Sequence, residues 1–405
     1  MEAGARGLRT FLDGSVPGVD YHYKWLGDDP ATKAMLERLK GIPFLVRDGE
    51  YSGGRENRRP LVLRKHFPEL AITLFSDPGS GHFGFSDETC EFLGWYVAKA
   101  WRERRNPKKR NKFKPTNASS GWHMDFWRNG EPEKFEPGPV GECKGAEGKY
   151  GEELNWVFDK EHADMQRKVQ NRFGKKKVQL LGYKMNGELL PDKRDHLQIH
   201  IPFEPDRDGL SVSIEPTFLD TVTAGRAEGW SGRAVGESVE HGADPERAKL
   251  KILCGPGVVT GPGRVSVRFD RFGFTSSRRT NVIDMVLEHP GDKTVRRMEL
   301  QSEMIVPREN KDGFLQRISF PELPDVKARA KSIPLNATSS SGLPVDYYVV
   351  HGPAYVQDGK LIFTPLPRCT KRPLEVKVVA YQYGTKNSPG VQTAKSIERT
   401  LRIER

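Results

Sequence analysis

Cysteine is scarce in this chain. Its four residues, Cys90, Cys143, Cys254 and Cys369, are far apart and form no C-x-x-C pair. That spacing excludes a zinc ribbon and a disulfide-dense scaffold, and leaves one or two disulfides open. Long apolar runs are missing too. None approaches the ~18–20 residues of a membrane span. The opening MEAGARGLRT has no apolar core of the kind a signal peptide needs. No internal repeat of fixed period is visible. Apolar residues make up only 36% of the chain, yet 7 Trp, 11 Tyr and 20 Phe are enough to fill packed cores. Wholesale disorder is therefore excluded. With 41 Gly and 29 Pro, the composition leans towards turns and strands.

Positive charge is present in excess, at +11, but it is unevenly spread. Arg102, Arg104, Arg105, Lys108, Lys109, Arg110, Lys112 and Lys114 stand against Glu103 alone, and so account for most of it. Such a run is either a polyanion patch or a helix end passing into a solvated linker. Only Phe113 is interleaved with the cations, which disfavours nucleic acid as the partner.

Residues 28–105 alternate helix and strand. Asp29-Pro30 reads as a helix start. IPFLV (42–46) and AITLF (71–75) read as strands buried on both faces, with a helix over 58–67 between them. Ser86 caps a long helix whose apolar stripe is expected to hold Phe92, Leu93, Tyr96, Val97, Ala100 and Trp101. Residues 106–150 are rich in Pro, Gly and charge and read as linker. A helix over 153–173 is expected to bury Trp156, Met165, Val169 and Phe173. From about 176 the period becomes 2, as in VQLLGYKM, HLQIHIPF, LSVSIEPTFL, LKILCG, RVSVRFDRFGF and VIDMVLEHP. A further strand series begins near 327 and suits a small immunoglobulin- or fibronectin-like sandwich. Tyr347, Tyr348 and Tyr355 fall on its alternating positions, either as packing residues or as a ligand platform.

The expected fold class is thus multi-domain, α/β plus all-β. The expected units are 1–105, a linker or covering segment 106–175 with one helix, a β-rich unit 176–324, and a sandwich 325–405. No motif requires a cofactor. His196 and His200 share one strand face in HLQIHI, but no carboxylate or cysteine is placed to complete a metal site with them.

The segment with most chemical content is Gly79-Ser80-Gly81-His82-Phe83, between a buried strand and a helix. A histidine just past the carboxyl end of such a strand can reach over the strand tips, where open α/β sheets place their sites. Glycines on either side let the backbone approach a substrate. The other reading is a loop histidine that merely bonds a neighbour. The stretch from IPFLVRDGEY through RKHFPELAITLFSDPGSGHFGFSDETCEFLGWYVAKA resembles the last third of an α/β-hydrolase domain. The resemblance implies His82 as the general base, with Glu50, Asp48 or the more distant Glu56 as the triad acid. The usual Gly-x-x-Asp spacing from Gly49 instead lands on Ser52.

No G-x-S-x-G nucleophile elbow occurs in the chain. Gly229-Trp230-Ser231-Gly232 is nearest, but it lies downstream of His82 and ends in Arg233. The resemblance covers about 28–105 and implies a truncated, esterase- or depolymerase-like unit, inactive alone, with an ester or polymer as substrate. GLPVDYYVVHGPAYVQDGKLIFTPLP is similar to immunoglobulin-like or cadherin-like modules of extracytoplasmic bacterial proteins, which implies a secreted or extracytoplasmic setting. The other reading of the whole chain is a non-catalytic β-sandwich protein that holds a polymer or cell-surface partner.

Overall fold

The computed structural model describes residues 30–53, 59–109, 112–124, 140–142, 155–191, 199–206, 208–268, 281–367, 369–386 and 388–404. Asp29, Arg110, Cys143, His196 and Glu56 therefore lie outside the described residues. Helix α1 (Pro30–Leu39) buries Leu36 and Leu39 on strand β1 (Phe44–Gly49) and on helix α2 (Arg59–His66), which contributes Leu63. Strand β2 (Ile72–Asp77) pairs in parallel with β1, from Phe44 opposite Ile72 to Gly49 opposite Asp77. Every residue of β2 is buried, as expected of a strand covered on both faces.

Helix α3 (Asp87–Arg104) starts at Ser86, whose hydroxyl accepts from Thr89 N–H at 3.2 Å. Its buried seam is Thr89, Phe92, Tyr96 and Lys99. The expected stripe is rotated, because Val97 is 66% and Trp101 50% exposed. Phe92 packs on Phe75 with ring centroids 4.5 Å apart, and Tyr96 meets Phe158. Those two contacts fix the helix so that Val97 and Trp101 fall off the covered face.

Strands β3 (Trp122–Met124), β4 (Val140–Glu142) and β5 (Asn155–Val157) form a small antiparallel sheet with β3 central. Helix α4 (Lys160–Gln170) follows, with Asp159 capping it by accepting from His162 N–H at 3.0 Å. The helix expected from 153 thus begins late. Trp156 sits on β5, where its ring N–H donates to Ala118 O at 2.9 Å. Asn155 is committed to the outer edge of β2. Its amide accepts from Leu74 N–H and donates to Leu74 O, both at 2.7 Å. Gln166 and Gln170 donate to Leu74 O and Ser76 O on the same edge. Side-chain amides thereby satisfy an edge that would otherwise recruit a strand.

The β-rich part continues with β6 (Leu181–Met185), β7 (Glu188–Leu189), β8 (Ile199–Ile201), β9 (Ser211–Ser213), β10 (Glu215–Phe218) and the short helix α5 (Arg226–Ser231). Then come β11 (Lys249–Cys254), β12 (Gly257–Gly261), β13 (Arg264–Val267), β14 (Val282–His289) and β15 (Met298–Ile305). They pair as β11-β14-β15-β8, β10-β6-β7 and β12-β13-β9. One core serves all three sheets, with Leu181, Ile201, Trp230, Val265, Met285, Leu287 and Leu300 in it.

The last nine strands are β16 (Ile318–Ser319), β17 (Val326–Lys327), β18 (Ser332–Pro334), β19 (Thr338–Ser339), β20 (Asp346–His351), β21 (Ala354–Gln357), β22 (Lys360–Phe363), β23 (Leu374–Tyr381) and β24 (Ile397–Glu404). Sheets β17-β24-β23-β20 and β18-β22-β21 enclose a second core around Leu361, Val376, Val378, Leu401 and Ile403. Tyr381 and Tyr383 extend from it into the first core.

The expected fold class needs correction. The chain is β-rich, and its α/β content shrinks to the β1–β2 pair and the helices around it. No fully parallel sheet wider than two strands exists among the described residues. A partial α/β-hydrolase unit followed by immunoglobulin-like modules does not describe this architecture. The amide-capped edge of β2 and the antiparallel β3–β5 sheet beside it are the physical reason.

Candidate functional site

The carboxyl ends of β1 and β2 are in register, so Gly49 lies beside Asp77 and the following loop, 78–85, folds back over both. Asp77 is fully buried. It accepts from Arg47 Nε at 3.1 Å and Nη2 at 2.7 Å, from Arg172 Nη2 at 2.8 Å, and from Thr89 Oγ1 at 3.0 Å. Arg47 also donates to the carbonyls of Gly81 at 3.2 Å and His82 at 2.9 Å, and its guanidinium lies 4.5 Å from the Phe85 ring centroid. The loop is thereby tied down from its own sheet.

The far side of the loop meets the start of β15. Glu50 lies in a single kinked helical turn, Glu50–Gly53, directly after β1. Its carboxylate accepts from Gly79 N–H at 2.8 Å and from the buried Arg296. Glu299 accepts from Gly81 N–H at 2.7 Å and from Arg297, which also reaches Glu288 at 3.3 Å. Tyr51 follows Glu50 into the core of the β-rich part. Its ring meets Trp230 edge-on at 5.3 Å, and its hydroxyl donates to Arg297 O at 3.4 Å. Burial pushes the Glu50 and Glu299 carboxyls up, against the pull of the arginines and glycine N–H groups. Burial likewise works against the charge on Arg296, but Glu50 and Tyr51 more than offset it and hold its pKa above the ordinary value.

The glycines of this loop have a different use from the expected one. A Cβ on Gly84 would stand 1.5 Å from Glu299 Oε2, and one on Gly49 would stand 2.1 Å from Gly81 O. Gly79 has φ +74, and a Cβ there would meet the Phe173 ring at 2.7 Å. The close approach they permit is to the protein itself.

The three candidate residues are placed as follows. His82 is exposed, with its ring edge-on to Phe83 at 4.6 Å. Asp48 is half-buried on β1 opposite Ser76. Glu50 is fully buried against Arg296 and Gly79. Oxyanion chemistry needs backbone N–H groups aimed at the reacting oxygen. At this loop the N–H groups of Gly79 and Gly81 already donate to carboxylates. In the Gly229–Gly232 segment, Ser231 lies at the end of α5 and its hydroxyl donates to Ala227 O at 2.7 Å. Neighbouring Trp230 is 1% exposed in the core. The esterase-like reading of the chain is corrected on these grounds. The loop forms a seam between two parts of the molecule, held by ion pairs.

Sequence reasoning missed Arg296, Arg297 and Glu299, and with them strand β15. MELQSEMI carries Glu299, Gln301 and Glu303 at buried positions, which erases the polar–apolar alternation. The available signal was the charge density of VRRMELQSE next to a strand-forming VIDMVLEH, which makes a hairpin with it.

His200 is half-buried, with Nδ1 3.9 Å from Glu303 Oε1. Among the described residues, no group of three or more His, Cys, Asp or Glu gathers around a common point. Cys90, Cys254 and Cys369 form no disulfide among the described residues, and the Cys254 thiol donates to Asp284 Oδ2 at 3.0 Å. No helix among the described residues is long and apolar enough to cross a membrane. Of the three tyrosines, Tyr347 is tied to the backbone, accepting from Ala337 N–H at 2.7 Å. Tyr355 stands 48% exposed.

No family model matches this chain, and no curated protein matches it. Among solved structures, human Protocadherin-24 EC1-2 (Form II) aligns over 43% of this chain and 89% of its own, at 11% identity and a TM-score of 0.18. Drosophila N-cadherin EC1-4 aligns over 72% of this chain and 68% of its own, at 12% identity and a TM-score of 0.18. Likenesses of this size assign neither architecture nor activity.

Proposed function

We propose that the chain is a non-catalytic binding protein whose β-sheet modules hold a polymer or cell-surface partner, with the α/β corner as a rigid support. The units 1–105, 106–175, 176–324 and 325–405 belong to the same proposal. The observation that carries it is the rigid display of two apolar side chains. Phe314 is 71% and Leu315 84% exposed. Their segment is nevertheless fixed at several points. Phe314 N–H donates to Gly390 O, Gln392 N–H donates to Phe314 O, both at 2.8 Å, and Asn310 Nδ2 donates to Val391 O at 2.8 Å. Large apolar side chains held out by an ordered backbone give up little entropy on binding and mark interaction surfaces.

The test is retention of the full chain on insoluble polysaccharide and polyester matrices, with Phe314→Ser/Leu315→Ser as the comparison. Retention on one matrix, reduced at least about tenfold in the double variant, is expected; tenfold corresponds to about 1.4 kcal/mol. Equal retention of the two proteins on every matrix would refute the assignment of this surface. Turnover of a chromogenic short-chain ester that disappears in His82→Ala would refute the non-catalytic reading.

A further inference from the structure

The basic run at the end of α3 is a folded element, where the sequence suggested a linker. After α3 the chain turns at 106–109, with Lys109 N–H donating to Asn106 O at 3.2 Å. It returns antiparallel, with Arg105 bridged to Phe113. Lys114 N–H donates to Arg104 O at 2.7 Å, and Arg104 Nε donates to Lys114 O at 3.2 Å. Residues 110 and 111 lie outside the described residues, and the site is built without them.

The two arms carry Arg102, Arg104, Arg105, Lys108, Lys109, Lys112 and Lys114. None of these seven forms an ion pair with a carboxylate among the described residues. The contrast with Lys99, one turn earlier on α3, is sharp. Lys99 collects Asp159 at 2.5 Å, Glu161 at 3.0 Å and Glu103 at 3.7 Å. The nearby carboxylates thus serve a cation outside the hairpin. Like charges gathered on one short stretch of chain repel one another, and a bound polyanion relieves that repulsion.

Two rings lie among the cations. The Arg105 guanidinium stands 5.2 Å from the Trp101 ring centroid, and that of Arg104 stands 5.3 Å from Phe113. Trp101 is 50% and Phe113 56% exposed. Single-stranded nucleic acid needs bare ring faces on which successive bases stack. Here two rings stand against seven cations, and each ring already carries a guanidinium on one face, which leaves no run of faces for successive bases. What these residues offer is a run of cations for sulfate or carboxylate groups, with two half-exposed rings for the apolar faces of sugars.

We infer that the basic residues of the two arms, 101–109 and 112–114, form a binding site for an anionic polysaccharide. It shares no residue with the Phe314–Leu315 surface, and the variants that test it change no residue of that surface, so either reading can fail without the other.

The experiment is titration of the full chain with dextran sulfate, neutral dextran and poly(U), for the parent and for Lys108→Glu/Lys109→Glu/Lys112→Glu. These three lysines are exposed and form no ion pair among the described residues, so the variant should keep the parent's thermal midpoint. A second variant, Trp101→Ala, removes one ring without changing charge. The expected result is saturable binding of dextran sulfate that weakens more than tenfold between about 50 and 200 mM salt. Binding should weaken at least about tenfold again in the triple variant and a few-fold in Trp101→Ala. Neutral dextran should not bind. Absence of saturable binding, or an unchanged affinity in the triple variant, would overturn the site. Poly(U) bound as tightly as dextran sulfate would overturn the polysaccharide assignment in favour of nucleic acid.

Discussion

Arg296→Met removes the cation from the most deeply buried ion pair of the seam. Its partner Glu50 is 0% exposed and Arg296 itself 1%, so water cannot take over the lost interaction. Breaking a buried pair from one side costs about 3–5 kcal/mol, because a charge is stranded in a poorly polarisable interior. For domains of the relevant size, each 1 kcal/mol moves the midpoint by about 2–4 °C, so a drop of roughly 6–20 °C is expected. Glu50→Gln/Arg296→Met strands no charge and keeps an acceptor for Gly79 N–H. It should recover at least half of that loss, leaving a positive coupling in the double-mutant cycle. Calorimetry at pH 7 reads the midpoints. Repeating the scan in about 0.5 M NaCl should leave the difference intact, since buried pairs are poorly screened. A fall of less than about 2 °C in Arg296→Met, at or below the effect of 1 kcal/mol, would refute the seam as an electrostatic weld. So would a double variant no better than the sum of the singles.

Three further perturbations probe the loop and the helices beside it. Gly84→Ala puts a methyl group into the Glu299 carboxylate, displacing it from Gly81 N–H and Arg297. A loss of about 1–3 kcal/mol in urea titration is expected, and none should appear in Gly174→Ala beyond the strain of its positive φ, because a Cβ there meets nothing within 4 Å. His162 is buried beside Trp95, Tyr96 and Phe158, and burial lowers its pKa to about 3 from 6.5. A depressed histidine binds fewer protons folded than unfolded. Its contribution is therefore complete above pH 6.5 and is lost as the pH falls towards 3. His162→Gln should flatten the stability–pH curve across that window, and an unchanged slope would rule the residue out as its source. His82→Ala should change stability by less than about 1 kcal/mol by the same urea titration, because the side chain is exposed.

Much of the local structure was legible. Ser86 followed by Asp87 and Glu88 marks a helix start that the capping bond to Thr89 realises. ITLF reads as a doubly covered strand, and Val265 and Val267 point inward as their alternation requires. Position on a helix was less legible. Val97 and Trp101 fit the period of the buried stripe, yet contacts from Phe75 and Phe158 turned the helix away from them. Trp156 was read onto a helix because a short strand of three residues has no period to detect. Strand β15 was invisible for a different reason. Its buried Glu299 is stabilised by Arg297 and by a backbone N–H from a loop more than two hundred residues away in sequence.

The sequence by itself determined the short-range facts: the capped start of α3 at Ser86, that the later chain is built of sheets, and that positive charge is concentrated in one run. These depend on neighbours within a few residues, where propensity, capping and periodicity act. Tertiary structure alone decided what the glycine-rich loop is for. A loop with three glycines and a histidine beyond a buried strand is compatible with a site open to substrate or with a seam closed by protein. The choice rests on the partners of Gly79 and Gly81, and those are Glu50 and Glu299, the second brought there only by the packing of β15. The same holds for the basic run, whose charges the sequence could count. Only the fold revealed that those among the described residues lie on two antiparallel arms while the nearby carboxylates pair with Lys99.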